Sequence, residues 1–80
     1  MKTSHAVAER TRELLKTKKM TQYRLEQNTG IPHNTMISLM NGRNDGVNLK
    51  TVMLIILGLD VTVLEFFNSP LFDPKTLDLE

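Results

Sequence analysis

Apolar positions recur at helical spacing through the first half of the chain. Val7, Thr11, Leu14 and Leu15 stand three and four residues apart, which lines one face of a helix. Arg10, Arg12, Glu13 and Lys16 fill the opposite side and read as a solvated face. Ser4 suits the N-cap of this first helix, and Lys18-Lys19 suit its end, where cations complement the helix dipole. Thr21 caps a second, short helix from Gln22 to Thr29, which Gly30 ends by supplying a positive φ. Pro32 fits the first turn of a third helix over about 32–41, stopped by Asn41-Gly42. Asn44-Asp45-Gly46 is turn chemistry.

Asn48 caps a fourth helix running to about Leu59. Its centre, Val52 to Leu57, is apolar on every side, which predicts burial on every side and a partner over the outer one. The β-branched residues there also suit a strand, but the length and the Asn48 and Thr62 caps favour helix. Thr62 caps a last short helix, Val63 to Phe67. The pattern predicts an all-α domain of five short helices over residues 1–68. A tail over 69–80, extended or partly disordered, keeps Leu71, Phe72, Leu77 and Leu79 for docking.

Composition narrows the function. The chain has 80 residues and no cysteine, which excludes disulfides and thiolate metal sites. The N-terminal residues lack the apolar stretch of a signal peptide, and Val52 to Leu57 is too short to span a bilayer, so a cytoplasmic protein without a membrane partner is expected. The net charge of +1 conceals a split. Residues 1–50 carry nine bases against four acids, a net of +5, and residues 51–80 carry one base against five acids, a net of −4. A basic half suits a polyanionic partner. No enzyme is expected: the chain shows no nucleophile triad spacing, no phosphate-cradling glycine loop and no paired catalytic carboxylates. No cofactor or small-molecule ligand is predicted either.

Residues 22–41 carry the functional signal. Leu25 must meet Met36 and Leu39 across a turn that Gly30 permits and Ile31 plugs. That leaves His33, Asn34, Thr35 and Ser38 on the outer face of the third helix, where short polar side chains can meet base edges in a major groove. The bland reading of Thr35 and Ser38 is a solvated surface. His33 as a metal ligand has no second histidine or carboxylate at ligand spacing, since His5 is remote. Ile37 divides between core and contact with a thymine methyl, and Tyr23 between packing at the cap and reaching a phosphate.

The stretches Met20-Thr21-Gln22, Gly30-Ile31-Pro32, Thr35-Met36 and Met40-Asn41-Gly42-Arg43 resemble the phage-repressor-like (Cro/C1, XRE-type) helix-turn-helix proteins, with a lambda-repressor-like fold. Asn48 to Val52 and Leu59 to Phe67 extend the likeness to helices four and five. The resemblance implies a DNA-binding transcription regulator, usually a dimer. By position, Gln22 matches the residue that touches a phosphate or buttresses the reading helix, His33, Asn34, Thr35 and Ser38 match base-facing positions, and Asn41 and Arg43 match the phosphate-meeting exit. Three positions depart from the pattern. Glu26 replaces a small residue and must turn outward or pair with an Arg or Lys. Leu15 stands where an arginine often pairs with helix two, at the position of Arg24 here. Asp60 replaces a glycine.

Met36, Leu39, Val52, Ile55, Ile56, Leu59, Val61 and Phe66 are assigned to the core. Met40, Met53, Leu54, Leu57, Leu64 and Phe67 are left over. They could be scattered surface apolar residues, but Met53, Leu54, Leu57, Leu64 and Phe67 fall in one third of the chain, which favours a dimer interface. The reading is a sequence-specific repressor, a homodimer whose third helices lie about 34 Å apart on a near-palindromic operator. The alternative is a protein-interaction module, such as an antitoxin that caps a partner protein through helices four and five.

Overall fold

The computed structural model describes residues 1–42 and 46–79. Among them five α-helices follow one another: α1 (Thr3–Lys18), α2 (Gln22–Thr29), α3 (His33–Met40), α4 (Leu49–Leu59) and α5 (Val63–Phe67). No described helix is long and apolar enough to cross a membrane. The expected turn residues Asn44 and Asp45 lie outside the described residues.

Local chemistry sets most of the helix ends. Thr21 Oγ1 accepts from the Arg24 amide at 3.1 Å, Asn48 Oδ1 from Thr51 at 2.8 Å, and Thr62 Oγ1 from Glu65 at 3.0 Å. Left-handed residues close the helices: Gly30 at φ 75°, Lys19 at φ 54° and Asp60 at φ 59°. Asp60 thus occupies a conformation glycine adopts without cost, which explains why the resembling family carries glycine there. Gly42, at φ 62°, leaves α3, and a Cβ on it would run into the His5 ring.

Two ends differ from expectation. Lys2, not Ser4, is the N-cap of α1. Ser4 lies inside the first turn, buried, and its hydroxyl donates to the Gly42 carbonyl at 3.4 Å. A tertiary acceptor has drawn it away from capping. Pro32 stands just before α3 as its extended N-cap, its carbonyl accepting from Met36 at 2.9 Å.

Leu14, Leu25, Met36, Leu39, Ile55, Leu59 and Phe66 form the centre of one core to which every helix contributes. Thr11 belongs to this buried face and satisfies its hydroxyl on the Val7 carbonyl at 2.7 Å. Met40, left unassigned by sequence, is buried as well. α2 and α4 come close because Gly58 has no side chain. A Cβ there would lie 2.5 Å from Thr29 Cγ2 and 2.9 Å from Leu25 Cδ1. Asn28 Nδ2 adds a bond to the Gly58 carbonyl at 3.0 Å.

The expected solvated face of α1 is in part structural. Arg10 donates to the carbonyls of Phe66 and Glu65, both at 2.7 Å, and so ties down the end of α5. Arg12 donates to the Met40 carbonyl at the end of α3. Cations are favoured at these C-terminal ends by the orphan carbonyls and the dipole.

The fourth helix is not buried all round: Leu49 and Leu57 are exposed, the latter at 74%. Met53 and Leu54 are half-buried against their own core. Residues beyond α5, expected to be extended or partly disordered, carry a 3-10 turn over Pro70–Phe72. Phe66, Phe67 and Phe72 stack mutually with centroids 4.8 to 5.7 Å apart. The tail then returns to the N-terminus, where the Asp78 amide donates to the Met1 carbonyl at 2.8 Å and Lys2 bridges in parallel to Asp78.

Candidate nucleic-acid interface

α2 and α3 meet through the left-handed turn at Gly30. Leu25, Ile31, Met36 and Leu39 are all buried between them and the remaining helices. Because α3 turns about 100° per residue, sending Met36, Leu39 and Met40 inward turns the intervening residues out. His33, Asn34 and Thr35 are exposed, Ile37 is exposed at 37%, and Ser38 is half-buried. Asn41, just past the helix, is exposed, as is Tyr23. Gln22 is half-buried at the start of α2. Arg43 lies outside the described residues.

Local hydrogen bonds hold the loop of Gly30 and Ile31. Thr29 Oγ1 donates to the Leu25 carbonyl at 2.8 Å and accepts from the Ile31 amide at 3.2 Å. The entry to α3 is therefore fixed by the end of α2, and the outward face of α3 keeps one attitude to the domain.

One constellation was not foreseen. Among the described residues, Glu26 pairs with neither Arg nor Lys. Its carboxylate takes the His33 ring, with Nδ1 at 2.8 Å from Oε2 and 3.0 Å from Oε1, and it accepts from Gln22 Nε2 at 3.1 Å. A chain Gln22–Glu26–His33 thus runs from the start of α2 to the start of α3. It also corrects the expectation that no carboxylate stands near His33. The hydrogen bond from His33, followed by that from Gln22, holds the Glu26 carboxyl below its ordinary value of 4.5, against a smaller opposing effect of burial. Half of this chain was visible in the sequence, since Gln22 and Glu26 are spaced i,i+4 on one helix face. The other half depends on the angle between two helices.

Tyr23 is engaged locally, its hydroxyl accepting from Gln27 Nε2 at 2.9 Å. The basic residues Lys18, Lys19 and Arg24 are exposed near the start of α2. Lys18 Nζ donates to the Asp60 carbonyl at 3.4 Å. Arg10, Arg12 and Asn28 hold the scaffold, and nothing in their spacing marked them, because their acceptors are distant carbonyls.

Two short helices in a fixed turn, the second showing a polar outward face at the domain surface, define a helix-turn-helix DNA-binding protein. A family model for the Cro/C1-type HTH DNA-binding domain matches residues 10–69, three quarters of the chain, and the protein belongs to that family. No curated protein and no solved structure matches it.

Proposed function

We propose that the chain is a sequence-specific transcription regulator, a repressor that binds a near-palindromic operator as a homodimer with α3 in the major groove. The observation that carries this is the division of α3. Met36, Leu39 and Met40 enter the core, while His33, Asn34, Thr35 and Ile37 stay outside, and the His33–Glu26 bond is the one side-chain bond they make among the described residues. Asn34, Thr35 and Ser38 offer donors and acceptors to base edges, and Ile37 offers contact to a thymine methyl. Gln22, Tyr23 and Asn41 flank them as phosphate contacts, Arg43 is a further one by its place in the sequence, and the basic first half of the chain adds affinity that falls with salt.

The second copy covers the apolar surface of α4 and α5. Leu57 and Leu64 are 74% and 81% exposed, with Val63 and Phe67 beside them in the same part of the chain. Met53 and Leu54, on the same helix as Leu57, are half-buried against their own core. A patch of this kind suits a partner, and a second copy would place two reading helices on one face of the duplex.

Selection from a random DNA pool tests the reader. Wild type enriches a defined two-fold site. The double variant Asn34→Ala/Ser38→Ala loses that choice while its melting temperature stays close to wild type. Retention of the same sites would remove α3 as the reader. Light scattering tests the pairing: a dimer that Leu57→Glu/Leu64→Glu converts to a monomer supports the homodimer. A wild-type monomer that aggregates supports the other reading, in which a foreign protein covers these leucines.

A further inference from the structure

We propose that Glu26 is a positioning residue that fixes His33 as its Nδ1-protonated tautomer, so that Nε2 meets the duplex as a hydrogen-bond acceptor and selects adenine or cytosine at one operator position. This rests on α3 being the reading helix.

The geometry supplies each step. His33 Nδ1 lies within 3.0 Å of both Glu26 oxygens. An ionised carboxylate only accepts, so a neutral ring bonded to it must carry its proton on Nδ1. Glu26 stays ionised because His33, and next Gln22, hold its carboxyl below 4.5. Gln22 donates to the same carboxylate, which keeps it from rotating away. The opposite ring nitrogen, Nε2, makes no hydrogen bond among the described residues, and the side chain is 66% exposed. His33 opens α3, the end of a reading helix whose residues contact base edges.

No charged residue shares α3 with His33, because the helix reads HNTMISLM. Of the elements packed on it, α2 brings Glu26, with Arg24 exposed on the same helix, and α1 brings Arg12, which is bound at the far end on the Met40 carbonyl. The acceptor Nε2 is therefore left for the duplex with no donor bonded to it among the described residues. In the major groove only adenine N6 and cytosine N4 offer amino donors, whereas guanine N7 and O6 and thymine O4 are acceptors and repel it. The chain of contacts converts a residue of ambiguous character into a reader of amino groups.

Two measurements at pH 8 test this. Long-range proton–nitrogen spectra of the free protein should show His33 with Nδ1 protonated and Nε2 bare, and Glu26→Ala should move the ring toward the Nε2-protonated form. Finding Nε2 protonated in wild type overturns the proposal. Selection from a random DNA pool should then show one position where pairs with the amino donor on one strand (A·T and C·G) are favoured about tenfold over their reversals (T·A and G·C), the scale of one hydrogen bond made or opposed. That preference should fall below about twofold in both Glu26→Ala and His33→Ala, with the rest of the site retained. An unchanged position in Glu26→Ala, or no position in wild type where the reversed pairs are disfavoured, sinks the inference while leaving α3 as reader. Wild type that selects no sequence at all sinks both.

Discussion

Arg10 offers the sharpest test of what ties α5 to the rest of the domain. Its Nε and Nη2 each donate at 2.7 Å, to the carbonyls of Phe66 and Glu65, and its side chain is only 16% exposed. Hydrogen bonds with a charged partner contribute about 1.5–3 kcal/mol each where solvent is excluded. The Glu65 bond is exposed and water can replace it, so it contributes at the low end or below. Arg10→Ala also loses the packing of its aliphatic stem. The expected loss is about 2–3 kcal/mol, against about 4–12 kcal/mol total for a domain of this size. At about 4–8 °C per kcal/mol the melting temperature falls by about 10–20 °C, read by thermal circular dichroism. Arg10→Lys should recover part of the loss, since an ammonium is a point donor that cannot reproduce the fork. The third contact, Arg10 Nη1 to Glu13 at 3.3 Å, is an exposed i,i+3 pair, so Glu13→Ala should stay within about 0.5 kcal/mol of wild type. If Arg10→Ala also stays within about 0.5 kcal/mol, Arg10 is the solvated residue its sequence pattern suggests, and the α1–α5 tie is wrong.

Gly58→Ala gains helix propensity yet should destabilise by about 1–3 kcal/mol, because the new Cβ meets Thr29 and Leu25 and must push α2 from α4; chemical denaturation at neutral pH measures it. Asp60→Gly should do the reverse and stabilise by about 1 kcal/mol, since it relieves a left-handed non-glycine residue while keeping the carbonyl that Lys18 uses; a melting temperature at or below wild type refutes this. Glu26 has a depressed folded value, so its contribution to stability is present above its ordinary value of 4.5 and is lost as pH falls through the folded one. The melting-temperature gap between wild type and Glu26→Gln should therefore narrow from pH 6 toward pH 3, and a constant gap refutes the pairing.

The elements legible in the sequence share one physical feature: their partners lie within a turn. Thr21, Asn48 and Thr62 cap through bonds to an amide three residues on, and Gly30 terminates α2 through its own φ. The outward face of α3 was legible for the same reason, since the period of Met36, Leu39 and Met40 dictates what remains outside. Ser4, Arg10 and Arg12 escaped because their acceptors lie 38, 56 and 28 residues away and are backbone carbonyls, which carry no signature in residue type. Glu26 stands between these cases. As a residue it looked like a packing misfit beneath α3, and only the angle set by Gly30 shows that the misfit has a histidine to meet. A carboxylate in a place that suits a small apolar side chain must be satisfied or expelled. Here it is satisfied by the first residue of the helix it lies beneath, which ties the scaffold of α2 to the surface of α3. A departure from a family pattern at a packing position is thus a place to look for what distinguishes one member's recognition from another's.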